Sequence, residues 1–441
     1  MAAMTDRSGS HVARRRRRLT ASVTDLEVAR QRALLVSVVA GSTDLHEAEQ
    51  SLAELELLAD TAGSDAVDRV LVRRDRYHPG TLLGSGKLAE LVAESQALDV
   101  DVVVFDNELT PAQQRNLQDA FQVDVVDRVA LILDIFAQHA HTKTGMLQVE
   151  LAQHRYRLPR LAGRGTAMSR LGAGIGTRGP GETKLETDRR RIRQRMSRIE
   201  RELAESDKTR QTQGKSRARS GMPTVGIVGY TNAGKSTLFN RLTGSHVLVE
   251  DRLFATLDST VRKLDLPEGH EALLSDTVGF VRRLPHELVE AFKSTLEEVA
   301  GADLLLHVVD AADADPERQI EAVRTVLAEI GAGELPQVLA FNKTDVADPV
   351  VVERLLAVHG GAVAVSALTG DRCAELLGAV LEGLEARTVE LHLHVPYERG
   401  DVVAALHRDG EVLKESHGDD GTELVVRVPA ESAPALAVYR S

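Results

Sequence analysis

Lys235 and Ser236 close the run Gly229-Tyr230-Thr231-Asn232-Ala233-Gly234-Lys235-Ser236, which fits G-x-x-x-x-G-K-[ST] and follows the short apolar stretch Val225 to Val228. In that strand-to-helix setting the pattern is a phosphate-binding loop. Its glycines let successive backbone N–H groups turn toward phosphate oxygens, Lys235 brings a point charge to the β and γ phosphates, and the Ser236 hydroxyl suits Mg²⁺; Thr237 continues the helix that opens there. A second carboxylate-bearing stretch, Asp276-Thr277-Val278-Gly279, ends the apolar run Ala272 to Ser275. Asp276 would hold the metal through water and the Gly279 N–H would lie near the γ phosphate, which makes Lys235 and Gly279 candidates for the chemical step. Two further loops select the base. Asn342-Lys343-Thr344-Asp345 follows Val338 to Phe341, and Ser366-Ala367-Leu368 follows Val363 to Val365. In N-K-x-D, Asp345 accepts from guanine N1–H and the exocyclic amine while the Lys343 stem covers the ring. Adenine would leave that carboxylate unsatisfied, so the site should reject ATP.

Four such elements, in order and each at the end of an apolar run, require a mostly parallel sheet with helices on both faces, spanning 222–387. The rest of the chain is organised around it. Residues 1–30 are a polar arm with Arg14 to Arg18, read as disordered. Over 31–138 the runs Ala33 to Val39, Val70 to Val72 and Val100 to Phe105 alternate with helical patterns at Leu45 to Ala59 and, capped by Thr110 and Pro111, up to Phe121. That is a small α/β domain. It contains Gly84-Ser85-Gly86-Lys87, whose spacing is wrong for a second P-loop; a tight turn or an RNA-phosphate contact fits it better than ATP.

Residues 139–213 carry leucines at helical spacing (Leu147, Leu151, Leu158, Leu161) and a second stripe (Leu185, Ile192, Met196, Ile199, Leu203), so they predict an antiparallel helical hairpin. At its tip Ala162 to Gly181 holds seven glycines together with Arg164, Arg170 and Arg178. A loop of that length without its own core is usually functional, and on helical arms it would probe RNA at close backbone approach. Gln211 to Met222 reads as a polar linker. Residues 388–441 alternate as strand, helix and strand, a small α+β domain with no nameable chemistry. The fold class expected is therefore multidomain α/β: an N-terminal α/β domain with its hairpin, the P-loop domain, and the C-terminal α+β domain.

The net charge is −12, yet residues 139–221 hold 20 basic against 8 acidic side chains. An acidic protein with one basic segment points to a polyanionic partner met there. No apolar run is long enough to span a bilayer and no signal-type segment follows the first basic residues, so a monomeric cytoplasmic protein is expected. One cysteine, Cys373, excludes an internal disulfide and reads as a small core residue, and the fifteen histidines lack metal-ligand spacing.

The set GYTNAGKS, Phe254-Ala255-Thr256-Leu257-Asp258, DTVGF, NKTD and SAL, preceded by GIGTRGPGETKLETDRR, closely resembles the HflX family of bacterial ribosome-associated GTPases. The resemblance implies that Thr256 joins Ser236 on Mg²⁺ when GTP is bound, with Thr260 as a competitor for that role. It also implies that the N-terminal and helical parts contact the large ribosomal subunit and its RNA, that the Gly-rich loop approaches the peptidyl-transferase centre, and that stalled or idle ribosomes are split. Phe280 stands where many GTPases place a water-orienting Gln, so hydrolysis should need a group from the ribosome, with Arg282, Arg283 and His286 as internal alternatives. Two other readings stay open: a large-subunit assembly or anti-association factor, and an ATP-driven RNA remodeller.

Overall fold

The computed structural model describes residues 30–41, 45–161, 180–218, 222–245, 253–254, 260–276, 279–280, 299–386, 388–418, 420–429 and 432–440. The N-terminal arm, most of the Gly-rich loop with its three arginines, residues 255–259 including Thr256, Thr277 and Val278, and Arg282, Arg283 and His286 lie outside them.

The chain starts with strand β1 (Gln31–Ala40), helix α1 (Leu45–Thr61), β2 (Ser64–Arg74), α2 (Ser85–Ala97), β3 (Val102–Phe105), α3 (Pro111–Phe121), β4 (Asp124–Asp127) and α4 (Arg128–His139). The four strands form a parallel sheet in the order β2-β1-β3-β4. Both faces are covered at the centre of the sheet, which is why β1 and β3 are continuously apolar while the edge strand β2 carries Asp65, Asp68, Arg69, Arg73 and Arg74. Alternate β1 residues such as Leu35 pack with α1 and α4, and Leu34 and Val36 pack with Leu91, Leu117 and Phe121 of α2 and α3. Thr110 begins α3 with a reciprocal cap: its hydroxyl accepts from Gln113 N–H, and the Gln113 side chain accepts from Thr110 N–H. The sequence reading omitted β4 and α4, whose short strand runs without a turn signal into an apolar helix. It also began α2 at Leu88, whereas the helix starts at Ser85.

Helix α5 (Lys143–Arg160) meets α6 (Pro180–Ala218) in a small apolar cluster of Leu147 and Leu151 with Ile199, backed by Met196 and Leu203. Leu158, Leu161 and Ile192 of the expected stripes are outside it. Arg195 adds a two-pronged bond to Glu150, 2.7 and 2.6 Å. The expected linker at 211–222 is corrected: α6 is 39 residues long and continues to Ala218, roughly 58 Å at 1.5 Å per residue. Gln211 to Ala218 has no Pro, and its single Gly214 costs a helix only about 1 kcal/mol, so polarity alone did not mark a break.

Next come β5 (Thr224–Gly229), α7 (Lys235–Thr243), β6 (Thr260–Asp265), β7 (Glu271–Asp276), β8 (Leu304–Asp310), α8 (Pro316–Glu329), β9 (Gln337–Asn342), α9 (Pro349–Val358), β10 (Val363–Ala364) and α10 (Cys373–Glu385). The sheet order is β10-β9-β8-β5-β7-β6, parallel except for β6 on the edge. Leu238, Phe239, Leu376 and Val380 bring α7 and α10 onto one face; Ile320, Val323 and Leu355 bring α8 and α9 onto the other. Finally β11 (Thr388–Pro396), α11 (Gly400–Asp409), β12 (Glu411–His417) and β13 (Gly421–Pro429) form an antiparallel sheet, β11-β13-β12, with Leu406 of α11 buried against it. This is the expected α+β unit, with β12 as an additional strand.

Candidate functional site

Strand β5 lies between β7 and β8, so the loop that follows it opens at the middle of the sheet's carboxyl edge, where α/β folds bind ligands. Gly234 adopts φ 88° as the cap of α7, and a Cβ there would collide with the side-chain amide of Asn342. That asparagine crosses the site: its Nδ2 donates to Ala233 O at 2.9 Å, and its Oδ1 accepts from Ala367 N–H at 2.9 Å. One side chain therefore ties the phosphate loop to both base-side loops. Asp345 accepts from the Ser366 hydroxyl at 2.7 Å, Lys343 pairs with Asp310 at 2.7 Å, and Arg241 of α7 bonds the carbonyls of Ala367 and Leu368.

Lys235 is buried and donates to Tyr230 O at 2.6 Å. Burial pushes its pKa down to about 8, with Asp276 acting in the opposite sense. The Ser236 hydroxyl donates to Asp276 Oδ2 at 3.2 Å, and that carboxylate is wholly buried. Two hard oxygen donors at that separation suit Mg²⁺; among the described residues no cluster of three His, Cys, Asp or Glu competes for a metal. Gly279 lies against Lys235: an added Cβ would sit 2.9 Å from the Thr231 methyl and 3.0 Å from Lys235 Nζ.

Phe280 is packed into the apolar core and not exposed at the loop surface. It is buried, its N–H donates to Gly229 O at 3.1 Å, and its carbonyl accepts from Thr231 N–H at 2.7 Å. Its apolar neighbourhood is shared with the N-terminal unit, for Tyr230, Leu253, Phe254 and Phe280 join one core with Leu55, Leu58 and Phe136. The Phe254 and Phe136 rings are 4.6 Å apart. The Tyr230 hydroxyl donates to Glu54 on α1 at 2.8 Å; Glu54 pairs with Arg128 of α4 at 2.9 Å, and Arg128 with Asp106 at 2.9 Å. Burial would lower the Arg128 pKa, but the two carboxylates more than offset it and keep it charged. A second bridge links Arg318 of α8 to Glu47 at 2.6 Å and to Gln50. Sequence reading missed Glu54, Asp106 and Arg128. The signal was an arginine heading the apolar run Val129 to Leu133, which must find buried carboxylates or leave the core.

Sheet order, phosphate loop, a carboxylate at the end of β7 and N-K-x-D at the end of β9 together define a P-loop GTPase. Sequence comparisons with known proteins agree. Residues 49–137 match the family model described as GTP-binding GTPase N-terminal, residues 139–217 GTP-binding GTPase Middle Region, and residues 224–343 50S ribosome-binding GTPase. "GTPase HflX" of Lacrimispora saccharolytica is 46% identical over 413 residues, covering 94% of this chain and 97% of that protein. "GTPase HflX" of Escherichia coli is 44% identical over 400 residues, covering 88% and 94%. Among solved structures, a GTP-binding protein from the archaeon Sulfolobus solfataricus in complex with GDP is matched over 81% of this chain and 99% of that one, at 22% identity and a TM-score of 0.40. The chain belongs to the HflX family of GTPases.

Proposed function

We propose that this GTPase binds the large ribosomal subunit and dissociates stalled or idle ribosomes, hydrolysing GTP with Mg²⁺ at a rate that the ribosome stimulates. The observation that carries the reading is Phe280, buried among Tyr230, Phe254 and Phe136 where a water-orienting side chain would have to face the γ phosphate. A site with a loaded phosphate loop and no such group would hold GTP until a partner supplies what is missing. The family model described as 50S ribosome-binding GTPase and the basic excess at 139–221 favour the large subunit and its RNA as that partner.

In this reading Gly229 to Thr237 hold the phosphates, Asn342 to Asp345 and Ser366 to Leu368 hold guanine, and Ser236 and Asp276, the latter through water, hold the metal, with Thr256 joining them. Mg²⁺ would neutralise charge on the β and γ phosphates. The buried Lys235 would exchange its bond to Tyr230 O for phosphate oxygens, and Gly279 leaves room beside it for the γ phosphate. The units 31–138, 139–213, 222–387 and 388–441 serve as ribosome-facing domain, probe, motor and accessory domain. The test is GTP turnover with and without purified large subunits. A stimulation of tenfold or more is expected, and turnover as fast without subunits as with them would overturn the reading.

A further inference from the structure

A cleft of about 600 Å³ lies between α3, α4 and α5 in the N-terminal unit, away from the nucleotide site. We propose that it takes one unpaired nucleotide of RNA. Its floor is apolar, from Val126, Ala130 and Leu133; its walls carry Arg115 and Arg157 against one acid, Asp134, and Arg160, which is paired with the buried Asp127 at 3.4 Å. A flat apolar body with a negative charge attached satisfies both features, and the volume is in the range of small-molecule sites. Arg160 is fixed in place before any ligand arrives. It lies 3.4 Å over the Tyr156 ring and donates to Gln114 Oε1 at 3.1 Å, Leu109 O at 2.7 Å and Tyr156 O at 3.0 Å. The Tyr156 hydroxyl is held in turn by Asp127 at 2.8 Å. A guanidinium plane held this way is a ready stacking surface for an unpaired base.

A free mononucleotide fits less well. A phosphate group would look for open N–H groups at the start of α3, but Pro111 has none and the Gln113 N–H is taken by the Thr110 hydroxyl. An RNA strand carries its phosphates along the rim, where Arg115 and Arg157 are exposed. Arg160 is also the last residue of α5, so the cleft lies within the basic segment, where the chain leaves the first helical arm.

The inference rests on the ribosome reading, and its experiment separates the two. Full-length protein with a non-hydrolysable GTP analogue is bound to purified large subunits, and the Watson–Crick edges of the RNA are probed chemically. The wild type should protect an unpaired base. Arg115→Ala/Arg157→Ala, and separately Ala112→Glu on the exposed wall, should lose that protection and bind about tenfold more weakly, while other protections, GTP affinity and melting temperature stay as in the wild type. Excess AMP should not restore the base's reactivity. Protection unchanged in both variants, or abolished by AMP, would overturn the cleft assignment while leaving ribosome binding intact. A wild type that protects nothing on the large subunit would overturn both.

Discussion

Lys235 shows how far a single residue could be read. Its type and spacing named its partner, a phosphate, but only the fold gives its depth, and depth sets its charge. With a pKa near 8 in the folded protein against 10.5 in the open chain, the unfolded state binds more protons between those values. The site's cost to folding therefore fades as pH rises through that window. Phosphates restore the ammonium, so GTP binding should take up well over half a proton at pH 8.5 and almost none at pH 6.5. Calorimetry in buffers of different ionisation enthalpy measures this; equal uptake at the two pH values would refute the burial argument. Asp345 is the complementary case: N-K-x-D proposes it as the base reader, and Ser366 holds its carboxylate at 2.7 Å. Asp345→Asn should move preference from GTP to XTP by at least a hundredfold, about 3 kcal/mol, read from competition binding. Unchanged preference would remove this loop as the base reader.

At the scale of elements, the central strands β1, β3, β5, β8 and β9 were legible because burial on two faces leaves an unbroken apolar run, whereas the short edge strand β4 was not. The length of α6 was not, since a polar, charged helix and a polar linker share a composition. Nor was the contact of α1 and α4 with the phosphate loop, because Glu54 and Tyr230 are 176 residues apart and no local pattern joins them. That contact has a measurable consequence. Tyr230 bonds Lys235 through its carbonyl and Glu54 through its hydroxyl, so Tyr230→Phe should leave GTP affinity within about twofold yet cost roughly 1.5–3 kcal/mol of stability, the range for a bond to a charged group. Glu54→Ala should cost more, about 3–5 kcal/mol, by leaving Arg128 short of a buried partner. Urea unfolding of the two variants would test it, and equal small losses would mean the interface is too wet to matter.

Across the whole molecule the proposed function divides recognition from hydrolysis. The nucleotide site is complete on one sheet edge except for the group that should orient water, while the basic charge is collected 139–221, outside that sheet. Shortening the loop at 162–181, or replacing Arg164, Arg170 and Arg178 with Ala, should leave GTP affinity and basal turnover unchanged but abolish splitting. Each lost phosphate contact should also flatten the salt dependence of subunit binding by roughly 0.7–0.9 in log–log slope. Sedimentation of whole ribosomes mixed with the protein tests the centre of this directly. With GTP or its non-hydrolysable analogue, wild type should convert the ribosome peak into separate subunits, and the loop-shortened chain should not. Ribosomes that stay intact with wild-type protein and GTP, or that split equally well with the loop-shortened chain, would contradict the account.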